Sequence, residues 1–166
     1  MDRHGKISDR QIFRNIKRQL ERVRNEIAVD LILPPDNQDV VEKVFSLLVK
    51  HSVNILKLSG SGCYPFFQYF ITRLKDTAVT QLDLSFFILN DADCEYLCEA
   101  LHTSHIHNLR LHKLTDSNID IFERCKLKNV TKLTTFELYS PDTIIECASI
   151  EELFTKKNEV IENTQF

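Results

Sequence analysis

One short pattern, apolar, two variable, apolar, one variable, apolar, recurs four times and limits what this chain can fold into more than any other feature of its sequence. It reads Val53-Asn54-Ile55-Leu56-Lys57-Leu58, Val79-Thr80-Gln81-Leu82-Asp83-Leu84, Ile106-His107-Asn108-Leu109-Arg110-Leu111 and Leu133-Thr134-Thr135-Phe136-Glu137-Leu138, with successive starts 26, 27 and 27 residues apart. A pattern kept at that period predicts stacked units, each burying its apolar face against its neighbours. The hexads end in strict apolar-polar alternation, the period of a short strand with one buried face. Between them lie helix-length segments. The clearest, 91–101, has Asp91 as a capping residue and an apolar set at Cys94, Leu97, Cys98 and Leu101, which is helical spacing. Each unit is therefore one strand plus one helix, and the expected fold is α/β.

The flanks read as caps, which an open stack of repeats needs at each end. Residues 1–52 supply a capping helix and a half repeat. Ser8 with Gln11 forms a capping box ahead of a helix whose apolar stripe is Ile12, Phe13, Ile16, Leu20, Val23 and Ile27. The stretch Val29 to Leu33 is strand-like, Pro34-Pro35-Asp36 breaks the chain, and 38–51 is helical with Val41, Val44, Phe45 and Leu48 on one face. Residues 53–140 hold the repeats. In 141–166, Ser149 with Glu152 makes a second capping box, and Ile150, Leu153 and Phe154 give a short amphipathic helix suited to cover the last strand edge. Residues 162–166 are expected to fray.

Composition narrows the function. The 166 residues include three glycines, Gly5, Gly60 and Gly62, so no glycine-rich phosphate cradle can be written and nucleotide chemistry through such a loop is not expected. A net charge of -3 argues against a surface made throughout for nucleic acid. An odd number of cysteines, five, and the charged first ten residues, MDRHGKISDR, predict an intracellular protein, cytoplasmic or nuclear. No apolar stretch approaches the ~20 residues needed to cross a bilayer.

The hexads, with Leu82-Asp83-Leu84-Ser85, Leu89-Asn90-Asp91 and Leu97-Cys98-Glu99-Ala100-Leu101 as the best matching unit, resemble the leucine-rich repeat family in its longer, ribonuclease-inhibitor-like variety. The resemblance covers about residues 53–140. It implies a short right-handed solenoid of four or five strand-helix units with a helix over each end, and a role in recognising a protein partner. It also implies a second possibility, a substrate receptor or adaptor of a ubiquitin ligase, since such repeats often follow an F-box. The chain departs from the family where Asn or Cys normally follows the strand, with Ser61, Phe87, Leu114 and Pro141 in those places. Apolar contacts from Phe87 and Leu114 are expected to fill that space in a less regular arc.

Stacked strands place equivalent residues in columns on the inner face. One column, Lys57, Asp83, Arg110, Glu137, alternates in sign and reads either as a self-satisfied ladder or as a ligand site. The next, Ser59, Ser85, His112, Tyr139, is flanked by Phe86 and Lys113. Its aromatic and cationic makeup is that of interface hot spots, provided Phe86 points outward rather than folding in with Phe87. The expected footprint for a protein partner is Ser85, Phe86, Arg110, His112, Lys113 and Tyr139. Cys94, Cys98 and His102 recur every four residues at a spacing open to metal ligation, but the third drifts off the face and buried thiols explain the first two. His102, His105, His107 and His112 cluster in sequence without a nucleophile motif beside them. No catalytic residues, no metal and no cofactor are expected, and the chain is read as not an enzyme. The one charge asymmetry is at the start, where residues 1–24 carry eight Lys or Arg against three acids. That helix is a solvated cap or a dock for an acidic partner, a nucleic acid or an anionic membrane surface.

Overall fold

In the computed structural model, which describes residues 9–30, 38–61, 67–138 and 141–164, strands and helices alternate along the chain. The order is α1 (Asp9–Arg22), β1 (Glu26–Asp30), α2 (Gln38–Lys50), β2 (Ile55–Ser61), α3 (Phe67–Thr72), β3 (Gln81–Ile88), α4 (Asp91–Thr103), β4 (Asn108–His112), α5 (Asp116–Cys125), β5 (Lys132–Phe136), β6 (Ile144–Cys147) and α6 (Ile150–Thr164). The strands form one open sheet in chain order. The first five run parallel and β6 returns antiparallel to β5. On one side α3 packs on α4, α4 on α5 and α5 on α6, making a helix layer. The architecture is α/β, built of alternating strand and helix units.

Two columns show how the apolar pattern builds the sheet. Val53, Val79, Ile106 and Val130 each lie two residues before a strand and are buried. Ile27, Leu56, Leu82, Leu109 and Leu133 pair in turn across the sheet, and all are at most 1% exposed. Each such side chain contributes about 1.5–3 kcal/mol by leaving water. At the strand entrances one carbonyl accepts two N–H groups from the next unit. Asn25 O takes Asn54 and Ile55, Asn54 O takes Thr80 and Gln81, Thr80 O takes His107 and Asn108, and His107 O takes Thr131 and Lys132, all within 3.2 Å. This ladder fixes the frame of every unit.

The frame differs from the sequence expectation in the last unit. The hexads set Leu133, Phe136 and Leu138 against Ile106, Leu109 and Leu111, whereas the pairing sets Leu133 against Leu109, Thr135 against Leu111 and Phe136 against His112. The true leading residue is Val130. A threonine occupies the fully buried place that leucine holds in β2, β3 and β4, and Leu138, also fully buried, mimics the missing leucine three residues later. The units are thus 29, 26, 27 and 24 residues apart, taken from Ile27 to Leu133.

A second difference is a bulge in β3. Lys57 pairs with Asp83, but Ser59 pairs with Phe86, so β3 carries one extra residue and Ser59 is not opposite Ser85. The Asp83 carboxylate holds the bulge by accepting the Ser85 N–H at 2.9 Å and the Ser85 hydroxyl. Past it Phe87 is fully buried and stacked on Phe67 at 4.8 Å, and Leu114 is buried, so these two do fill the interior beyond the strand ends.

The caps differ in detail. Helix α1 stops at Arg22 because Ile27 belongs to β1, leaving Val23 half exposed. Strand β1 covers Glu26–Asp30 rather than starting at Val29. The Ser8 capping box and Leu31 to Leu33 lie outside the described residues. The cap of α4 is Asn90, in a reciprocal box with Asp93, and Asp91 instead accepts Ser117 Oγ and Asn118 Nδ2 at 2.7 Å, tying α4 to the start of α5. Ser149 does cap α6, accepting the Glu152 N–H at 3.1 Å. That helix runs to Thr164, so residues 162–164 are helical, and the strand β6 before it has no counterpart in the sequence reading.

Candidate functional site

The face of the sheet opposite the helices ends in a cleft of about 520 Å³ near the C-terminal ends of β3, β4 and β5. Its floor is Lys57, Asp83, Ser85, Arg110 and His112, residues that alternate with the buried leucines along their strands. Phe86 stands at its side. The connection from β5 to β6 supplies the far wall through Glu137 and residues 141–144. Two left-handed residues shape this wall. Lys113 (φ 53°) and Glu137 (φ 54°) follow the paired residues His112 and Phe136, and each turns its chain out of the sheet. Lys113 N–H donates to Phe136 O at 2.8 Å and Glu137 N–H to Thr143 O at 2.7 Å, which seats the returning strand.

The cations of the cleft floor are each matched by an acid, and Asp142 on the wall adds a further carboxylate. Lys57 Nζ lies 2.5 Å from Glu26 Oε1, His112 Nε2 lies 2.8 Å from Glu137 Oε2, and Arg110 Nε lies 3.6 Å from Asp83 Oδ2. The Arg110 guanidinium also sits 5.0 Å above the Phe136 ring. Its Nε is buried and makes no hydrogen bond, so the contact with Asp83 is an ion pair across a gap. Asp83 is 8% exposed because it serves the bulge and Arg110 together. Around this neutralised floor the apolar groups are open to solvent. Phe86 is 80% exposed and Ile144, on the opposite wall, is 62% exposed.

Of the six residues expected to form the footprint, Ser85, Phe86, Arg110 and His112 come together in the cleft. Lys113 is exposed at its left-handed turn and does not line it, and Tyr139 lies outside the described residues. The charge column is corrected at its last step. Lys57, Asp83 and Arg110 are neighbours, but Arg110 pairs with Thr134, and Glu137 reaches His112 instead. Phe136 and Ile144 were missed as members of the site, and Glu137, expected in the charge column, lines it from the connection between β5 and β6. The frame set by Val130 would have located Phe136, whereas nothing in the sequence marks β6 as returning beside β5.

Among the described residues the cysteines and histidines do not form one centre. Cys94 and Cys98 are buried in α4, and burial pushes the Cys94 thiol up to about 12 and the Cys98 thiol higher still. His102 Nε2 lies 3.3 Å from Cys125 Sγ on α5, a thiol that the hexad and helix patterns did not single out. His107 Nδ1 meets Asn129 O at 3.0 Å at the foot of β4, and His112 is in the cleft on the other face. Among the described residues no group of three His, Cys, Asp or Glu side chains is placed to hold a metal ion, and no helix is long and apolar enough to cross a membrane. No protein-family model matches the chain, and no curated protein matches it either.

Proposed function

We propose that the chain is a non-catalytic recognition module of the leucine-rich-repeat kind, a short solenoid that binds a protein partner on its open sheet face. The observation that carries this reading is Phe86, four-fifths exposed on a rigid strand between a bulge that fixes its direction and a fully buried Phe87. An exposed aromatic held in place loses little entropy on binding, which is the character of a hot spot. Ile88, on the same face of β3, and Ile144 across the cleft extend the apolar surface. A site for a small anion would keep an uncompensated cation. Here the lysine, arginine and histidine of the floor each face an acid, so the surface suits an apolar side chain ringed by polar groups, as another protein presents.

The test is affinity capture from cells of the source with the tagged wild type, Phe86→Ala and Val49→Ala, followed by affinity measurement with any purified partner. Val49 is also apolar and exposed, but lies on α2. A partner that loses about tenfold or more in affinity with Phe86→Ala and nothing with Val49→Ala supports the reading. A partner indifferent to Phe86 and Ile144 together removes it. Ubiquitin-ligase subunits among Phe86-dependent partners would make the module an adaptor of such a ligase.

A further inference from the structure

We propose that the outer surface of α1, together with the end of α2, binds the phosphate backbone of a nucleic-acid strand without reading its bases. The chain has nine arginines, and six of them fall within its first 24 residues. In the described part, Arg10, Arg14, Lys17, Arg18, Arg22 and Arg24 are all exposed. Beside them Lys17, Arg24, Lys50 and His51 line a groove of about 440 Å³, with Glu21 as its one acid. This surface lies apart from the cleft and does not depend on the protein-recognition reading.

These cations are gathered on one surface without a carboxylate partner among the described residues. Lys57, Arg73, Arg110, Lys156 and Lys157 each sit against a carboxylate. Among the described residues none of the seven cations of this surface, Lys50 included, has an ion-pair partner. Residues 1–24 carry a net +5 while the rest of the chain carries -8, so an anionic strand is attracted here and repelled elsewhere.

Spacing and composition select the ligand class. Arg10, Arg14, Arg18 and Arg22 recur at every fourth residue, a stripe with ~6 Å of rise between members and ~18 Å in all. Such a row meets successive phosphates of one strand better than a single small anion. Arginine, whose planar fork takes two phosphate oxygens at once, outnumbers lysine here five to two in the described residues, although lysine is the commoner cation in the whole chain. Large apolar groups are nearly absent from this face. Among the described residues its exposed large hydrophobic groups are two valines, Val23 on the α1 side and Val49 at the end of α2, and Phe13 is turned inward with Lys43 over its ring. A membrane-lying helix would need a broad apolar side, and a protein hot spot would need an aromatic anchor. With no exposed ring for stacking among the described residues of this surface, its contacts fall on phosphates rather than on base faces.

The test is fluorescence anisotropy of the full chain with a labelled 20-nucleotide single-stranded RNA, the same sequence as single-stranded DNA, and a 20-base-pair DNA duplex. With about four phosphates neutralised on a single strand, affinity should fall about 50-fold between 50 and 200 mM salt, and RNA and DNA strands of any sequence should bind alike. Arg14→Ala/Lys17→Ala/Arg18→Ala should lower the slope of log affinity against log salt by about 2, while the control Lys126→Ala/Lys128→Ala/Lys132→Ala leaves it unchanged. These residues are exposed, and circular dichroism checks that both variants keep the fold. No binding at 50 mM salt, equal losses in both variants, or tighter binding to phosphatidylserine vesicles or polyglutamate than to the strands overturns the proposal.

Discussion

Phe86 and Phe87 are adjacent and identical, yet the bulge before them sends one ring to solvent and the other into the core. Their truncations should separate accordingly in urea titrations. Phe87→Ala, losing the stack on Phe67, should cost about 3–5 kcal/mol, and Phe86→Ala should stay within about 0.5 kcal/mol of wild type. Thr135 shows the opposite mismatch of residue and place. It is fully buried where β2, β3 and β4 have leucine, and its Oγ1 makes no hydrogen bond. Thr135→Val keeps the shape and removes a desolvated hydroxyl, so it should raise stability by about 1 kcal/mol, read from the same titration. This threonine is also why the last hexad was misframed by three residues. An apolar-count pattern treats a buried threonine as surface, and Leu138 was available to complete the wrong match.

At the scale of elements, the open sheet leaves β1 at an edge, where unpaired backbone groups invite pairing with another chain. The Gln19 side chain from α1 answers both groups of Ala28, with Oε1 accepting its N–H at 2.6 Å and Nε2 donating to its carbonyl at 3.0 Å. It stands in for the missing neighbour strand. Gln19→Ala should cost about 1–2 kcal/mol and should produce a concentration-dependent larger species in light scattering that the wild type lacks. The opposite end is closed by β6 and α6. Here sequence reading reached its limit for a physical reason. The parallel units announce themselves because each repeats the last, whereas a strand that occurs once has no second copy to mark it. The cleft inherits this division. Its floor, on repeated strands, was legible as Ser85, Phe86, Arg110 and His112, and its wall, on the single return, was not.

For the whole molecule, ionised contacts between elements make stability depend on pH. Arg73 and Tyr69, on and just beyond α3, hold the Glu42 carboxyl of α2 below its ordinary range. The Ala148 N–H and Lys156 do the same for Glu152 in α6. A carboxyl lowered by folding contributes stability that is complete above its unfolded value and is lost as pH falls through the folded one. Asp93, raised by burial, acts with the opposite sign and gains as pH falls. The Glu42 and Glu152 contacts therefore predict a loss of stability on acidification below about pH 4.5, opposed by the gain at Asp93. Glu42→Gln should flatten that acid limb in thermal melts across pH 3–7 without moving the neutral plateau's slope, and an unchanged limb would assign the acid loss elsewhere.

The inequality of the units has a consequence for how the chain finds this arrangement. Strands of one polarity and similar sequence can lock in out of phase, skipping a neighbour and trapping a compact but wrong order. With four different spacings between successive units, and a register shift that the described pairings show only in β3, each strand carries its own index. A skipped neighbour leaves Phe87 without Phe67 and Asp83 without Arg110. The irregularity that obscured the repeat in the sequence thus serves as an address, making the correct order of strands the one in which every mismatch is answered.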